Sequence, residues 1–240
     1  MTEGRERTRE QGGGFGEGWL PYLAPMLLFG LLVELGSHAS GATQGALLAL
    51  RVALPGAALL FFWRRGAYPE LAGSPPGGVG GALADVGMGL GIAGLWVVPY
   101  LIWSELPRGE PFDPALFGES RRGLVLGLRL MGFALVTPFM EELFVRSFLV
   151  RVLDAWRAGE DFRRLPVAQF TRLSFAGTIA WFTLSHAPWE WWVALPTGVL
   201  FNLWLARRGH LGATVRAHAV TNAAIWVLVV FGPIALWEFL

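Results

Sequence analysis

Apolar stretches long enough to cross a bilayer recur along almost the whole chain. A helix needs about 20 such residues to span a hydrocarbon core of roughly 30 Å. Seven stretches reach or approach that length: residues 19–35, 44–63, 82–103, 123–150, 173–187, 191–206 and 213–236. The fifth and sixth are short, and the last can be divided near Pro233. Hydrophobic residues make up 54% of the chain and charged ones 15%, against about 25% charged in soluble domains. The expectation is an all-α polytopic transmembrane bundle of about seven to eight helices. The helices that carry a site should lie within residues 123–236 of a single domain, 19–240.

Composition also excludes functions. There is no cysteine, hence neither a disulfide frame nor a thiol nucleophile. A net charge of +1 argues against a nucleic-acid partner. Residues 1–18 are polar, Gly-rich and mixed in charge, which predicts a disordered cytosolic tail rather than a cleaved signal. All nineteen basic residues are arginine. With the N-terminus inside, thirteen of them fall on inner segments and only Arg108, Arg121 and Arg122 on outer loops, which predicts a cytoplasmic N-terminus. A multi-pass protein of a bacterial inner membrane is expected. Several of the twelve tryptophans fall near span ends, as an aromatic belt requires.

Against this background, Glu141 and Glu142 stand out. They sit side by side in Thr137-Pro-Phe-Met-Glu-Glu-Leu-Phe-Val-Arg146. A charge at the bilayer centre costs roughly 2.5–3.5 kcal/mol on insertion scales. Glu142 and Arg146 are four apart with the acid first, the favoured direction for an ion pair along a helix face. They read as a structural salt bridge. Glu141 lies about 100° round the helix from Glu142, and position 145 is Val. It therefore needs a partner on another helix, a proton or a water.

The candidates are His186, one turn after Phe182, and His218 with Asn222, four apart on one face. Helix rise puts Glu141 ~15 Å, His186 ~21 Å and Asn222 ~16 Å from the Arg-rich inner ends. These depths form a common layer. Pro138 should kink the fourth helix and free a backbone carbonyl near the site. A carboxylate and an imidazole in a low-dielectric cavity can deprotonate water. A second His and an Asn amide can stabilise an oxyanion. That outlines an amide hydrolase with no nucleophilic serine or cysteine. The same Glu and two His also fit a zinc site with an open position, and spacing does not separate the two.

Glu141-Glu-Leu-Phe-Val-Arg146 reads EExxxR, Phe182 to His186 reads FxxxH, and His218 to Asn222 reads HxxxN. In that order on late helices they resemble the CPBP intramembrane protease family, which takes in the type II CAAX prenyl endopeptidases and the bacteriocin-processing Abi proteins. Ser185-His-Ala-Pro-Trp and Thr197-Gly-Val-Leu-Phe-Asn202 are also similar to the CAAX-protease-related subset found beside exosortase systems. The resemblance implies an endopeptidase acting on a membrane-associated or lipidated protein or peptide. It implies that Glu141 and His186 activate water and that His218 and Asn222 stabilise the oxyanion. Glu142, Arg146 and Phe182 would hold the geometry. No cofactor is expected, zinc being the lesser reading. The competing functions are a transporter or proton relay, extended through Glu34, Arg51 and Arg129, and a family member that binds peptides without cutting them.

Overall fold

The computed structural model describes residues 18–103, 105–115, 117–232 and 236–240, without the side chains of 157 and 158. Residues 1–17, expected as a tail, and Pro233 lie outside the described residues.

Seven helices run in sequence with no strand among the described residues. Helix α1 is Leu20–Ser37, α2 Gly41–Arg64 and α3 Gly78–Ile102. Helix α4 covers residues 122–158 as one continuous run. Helix α5 is Arg172–Leu184, α6 Trp191–Arg208 and α7 Leu211–Phe231. Five of these, α1 to α4 and α7, are long and apolar enough to cross a membrane. Helix α5, at 13 residues, is only ~20 Å long. Helix α6 is diluted by Asn202, Arg207 and Arg208. The fifth and sixth expected spans are thus helices without being membrane-crossing ones by length and composition.

The helix ends follow from local chemistry. Gly159 and Gly209 close α4 and α6 in left-handed conformations, at φ 68° and 64°, which cost glycine little. Thr171 and Ser174 form a reciprocal capping box on α5, and Asp154 of α4 accepts from both hydroxyls at 2.6 and 3.0 Å. Helix α5 was expected to continue through Ala187. It stops at Leu184 because Ala187, preceding Pro188, is held extended. His186 is consequently on a turn rather than on a helix.

Helices α1 and α2 pair, α5 and α6 pair, and α3 lies along α7. The last approach needs Gly89, where a Cβ would stand 2.4 Å from Ala217 O and 2.7 Å from Val220 Cβ. Thr221 Oγ1 takes the opportunity and donates to Gly89 O at 3.0 Å. One buried cluster joins α3, α6 and α7 through Ile92, Trp96, Phe201 and Ile225. Another joins α1, α4 and α7 through Tyr22, Phe144, Phe148 and Val215. Large apolar side chains such as Leu27, Leu31, Leu60 and Phe61 face outward. Such faces suit lipid contact.

Two buried polar groups outside the motifs tie helices together. Asp85, fully enclosed, accepts from Arg208 and Arg216 at 2.9 Å each and from Trp204 Nε1 at 3.1 Å. Asn202 donates to Thr178 Oγ1 at 2.9 Å, linking α6 to α5. Glu34 bonds His38 at 2.9 Å on an exposed surface.

Candidate active site

Helix α4 is not a uniform α-helix. Gly132–Val136 and Glu142–Leu149 are wide turns with hydrogen bonds reaching back five residues, and Thr137–Glu141 lies between them. Such turns concentrate at functional sites. The first explains a contact. Thr137 N bonds Gly132 O, so the next acceptor in the pattern is Phe133 O. Its donor would be residue 138, a proline with no N–H. Phe133 O instead accepts from Asn222 Nδ2 at 2.7 Å. The proline thus frees a carbonyl that fixes the side chain of Asn222 on α7.

The second wide turn starts at Glu142. Glu142 Oε1 accepts from Arg146 at 3.0 Å and from His218 Nδ1 at 2.8 Å. The expected pair within α4 therefore exists, but it also reaches across to α7. Glu141 Oε2 stands 4.0 Å from His218 Nε2. One imidazole is set between two adjacent carboxylates, its Nδ1–H donated to the inner one. Glu142 and Arg146 have fully enclosed side chains, while Glu141 keeps 16% of its side chain exposed. Of the two acids, Glu141 is the one that can meet water.

Phe182 explains why an aromatic belongs in the second motif. The Arg146 guanidinium lies 4.4 Å from its ring centroid and 5.3 Å from that of Phe201. This cation–π contact offsets part of the cost of burying Arg146. The carbonyl of the same Phe182 accepts from His186 Nδ1 at 2.6 Å. That bond places the Nδ1 proton and leaves Nε2 of a neutral ring with its lone pair. Phe182 thus positions both Arg146 and His186, while Phe201 stacks on His218 at 4.9 Å.

Glu141, His186, His218 and Asn222 line one cavity of about 80 Å³, together with Phe182, Trp96, Thr197 and Thr137. A water needs about 10–15 Å³ on this measure, so several fit. Glu190 also lines the cavity, and sequence reasoning missed it because it follows Pro188 in what read as a boundary. Its carboxylate accepts from Ala187 N at 3.0 Å. Burial raises its pKa above the usual carboxylate range; His186 opposes the shift and Glu141 adds to it. Among the described residues no group of three His, Asp or Glu is disposed to hold a metal. Both His218 nitrogens face carboxylates, and Glu142 is committed to Arg146.

A bundle of membrane-length helices that brings Glu141, His186, His218 and Asn222 to one cavity with room for water has the makings of an intramembrane hydrolase. Residues 124–224 match the family of type II CAAX prenyl endopeptidase Rce1-like proteins. The match covers α4 to α7 through Asn222, includes every motif residue, and supports the assignment to the CPBP intramembrane proteases made from the three motifs. No curated protein and no solved structure matches the chain.

Proposed function

We propose that this protein is an intramembrane endopeptidase in which Glu141 activates a water against a peptide carbonyl. The observation that carries this reading is the contrast between the two acids. Glu142 is enclosed and ion-paired, whereas Glu141 is open to the cavity that holds both imidazoles and Asn222.

In the mechanism, Glu141 takes a proton as the water oxygen bonds to the carbonyl carbon, with His186 Nε2 as the second acceptor. The carbonyl oxygen becomes an oxyanion. Asn222 has a second amide hydrogen besides the one given to Phe133 O and can donate it there. His218 can donate from Nε2 when it carries a second proton. An imidazolium there completes a neutral set with Glu141, Glu142 and Arg146. The C–N bond then breaks as the proton held by Glu141 passes to the leaving nitrogen, and the carboxylate is restored. The substrate class is a membrane-associated or lipidated protein or peptide. The arginine bias supports a cytoplasmic N-terminus, and the setting that we propose is a bacterial inner membrane.

The test is Glu141→Gln in full-length protein reconstituted in vesicles with a library of membrane-anchored peptides, read by mass spectrometry. Wild type should yield new termini, and the variant should bind peptides but yield none. Cleavage by Glu141→Gln at the wild-type rate removes Glu141 as the base. Cleavage that stops on chelation and returns with zinc would make the metal reading the right one.

A further inference from the structure

Residues 236–240, which follow α7, form part of the wall of the active-site cavity. Leu236 and Phe239 are almost fully enclosed, at 1% and 7% exposure, in the cluster that joins α3, α6 and α7. The Phe239 ring stands 5.1 Å from that of Tyr100, 5.4 Å from Trp189 and 6.1 Å from Trp96. Trp96 in turn lies 5.6 Å from His186, and Phe239 itself lines the cavity that holds Glu141, His186, His218 and Asn222. Polar contacts fasten the segment from outside the cluster. Phe112 N donates to Trp237 O at 3.1 Å, and Arg108 pairs with Glu238 at 2.9 Å. Both partners lie between α3 and α4. At α4 the Arg122 guanidinium lies 5.9 Å from the Trp237 ring, and Arg129 donates to the main-chain oxygen of Leu240.

With this wall in place there is little room. The cavity holds about 80 Å³, whereas sites that take a drug-sized molecule measure about 300–1,000 Å³. A neighbouring cavity of about 190 Å³ also reaches Glu141, but among the described residues His186, His218 and Asn222 do not line it. A peptide carbonyl that meets Glu141 and Asn222 together needs space that side chains now fill. Most walls of the cavity are locked into the bundle. Trp96 donates to Thr197 Oγ1 at 2.9 Å, Phe182 carries Arg146, and Phe201 stacks on His218. Phe239 sits instead on the single turn Trp237–Phe239, tethered chiefly to a segment outside the long helices. Such segments open at a lower free energy than packed helices do.

We infer that residues 236–240 are a strap that keeps the active-site cavity closed, and that Phe239 must withdraw from it before a substrate peptide enters. The inference rests on the peptidase reading for the identity of the guest and adds a regulation of the same site. The apparent affinity for substrate is then reduced by the fraction of molecules whose strap is open. Damage to the packing of the strap raises activity, the reverse of what a structural wall predicts.

The experiment uses the full chain in phosphatidylcholine vesicles. The protein has no cysteine, so Ile225→Cys puts a single thiol on the cavity wall. Its rate of reaction with a maleimide reads how often the cavity opens. Adding Phe239→Ala should raise that rate about tenfold or more. Adding Glu238→Gln, which cuts the Arg108 tether and keeps the ring, should raise it about two- to fivefold. Without the cysteine, the same two variants should show kcat/KM for membrane-anchored peptides raised by like factors. Should Phe239→Ala fail to fold, the Glu238→Gln arm decides alone. Labelling at the parent rate overturns the inference. Faster labelling with a fall in kcat/KM also overturns it, because Phe239 is then a wall that the substrate needs. If labelling rises while no form of the protein, wild type included, cuts any peptide, the strap stands and the peptidase reading falls.

Discussion

Replacing Glu142 by Gln removes one charge from a closed set and leaves its shape nearly unchanged. Arg146 then has no anion, and its Nε and Nη2 have no hydrogen-bond partner to begin with. The Phe182 and Phe201 rings remain, at 4.4 and 5.3 Å, but a cation–π contact is worth only about 0.5–2 kcal/mol. Stranding one member of a buried pair costs about 3–5 kcal/mol, a large share of an ordinary stability of about 5–15 kcal/mol. At about 2–4 °C per kcal/mol for a chain of this size, the melting temperature should drop by roughly 6–20 °C. Thermal unfolding in detergent, followed by size exclusion, reads this directly. The double variant Glu142→Gln/Arg146→Met should recover much of the loss, since it removes both charges and leaves an apolar stem beneath the rings. Wild-type melting in Glu142→Gln, or a double variant no better than the single, would refute the reasoning.

Other perturbations separate chemistry from folding. Glu141→Gln should reduce turnover by about 10²–10⁴-fold with melting unchanged, because Glu141 has no ion pair closer than 4.0 Å; a matching fall in stability would make it structural. Pro138→Ala should restore a donor for Phe133 O, release Asn222 and lower kcat more than it raises KM, which steady-state kinetics will show. Gly89→Ala should destabilise by about 1–3 kcal/mol through overpacking of α3 on α7, and equal unfolding midpoints would contradict the close approach. Burial raises the Glu190 pKa, so the folded state holds its proton longer than the unfolded chain does. Stability relative to Glu190→Gln should therefore be highest at acid pH and decline as pH rises above the ordinary carboxylate range. Parallel stability curves for the two proteins would reject that sign.

The helices were legible because membrane burial forces long apolar runs, which five of the seven are, while α5 and α6 lie in shorter or more polar ones. EExxxR and HxxxN marked the cavity's acid, one imidazole and the amide because helix periodicity fixes which residues share a face, whereas His186 of FxxxH lies past its helix end. Three features were hidden. Wide turns have no sequence signature beyond Pro138, so the reach of Glu142 to His218 could not be read from 100° steps. His186 was placed on a helix because its apolar neighbours continue the pattern, although Pro188 ends it. Arg51 and Arg129 read as extensions of a proton relay, because the cavities they line are assembled from segments far apart in sequence.

The wide turns of α4 each hold a spare residue relative to an α-helical path. A one-residue deletion in such a turn can be absorbed by tightening the helix, without rotating everything beyond it. Helix α4 therefore carries its own slack for insertions and deletions, beside the residues whose register matters most. A lineage could lose or gain a residue there while Glu141, Glu142 and the bundle around them keep their register.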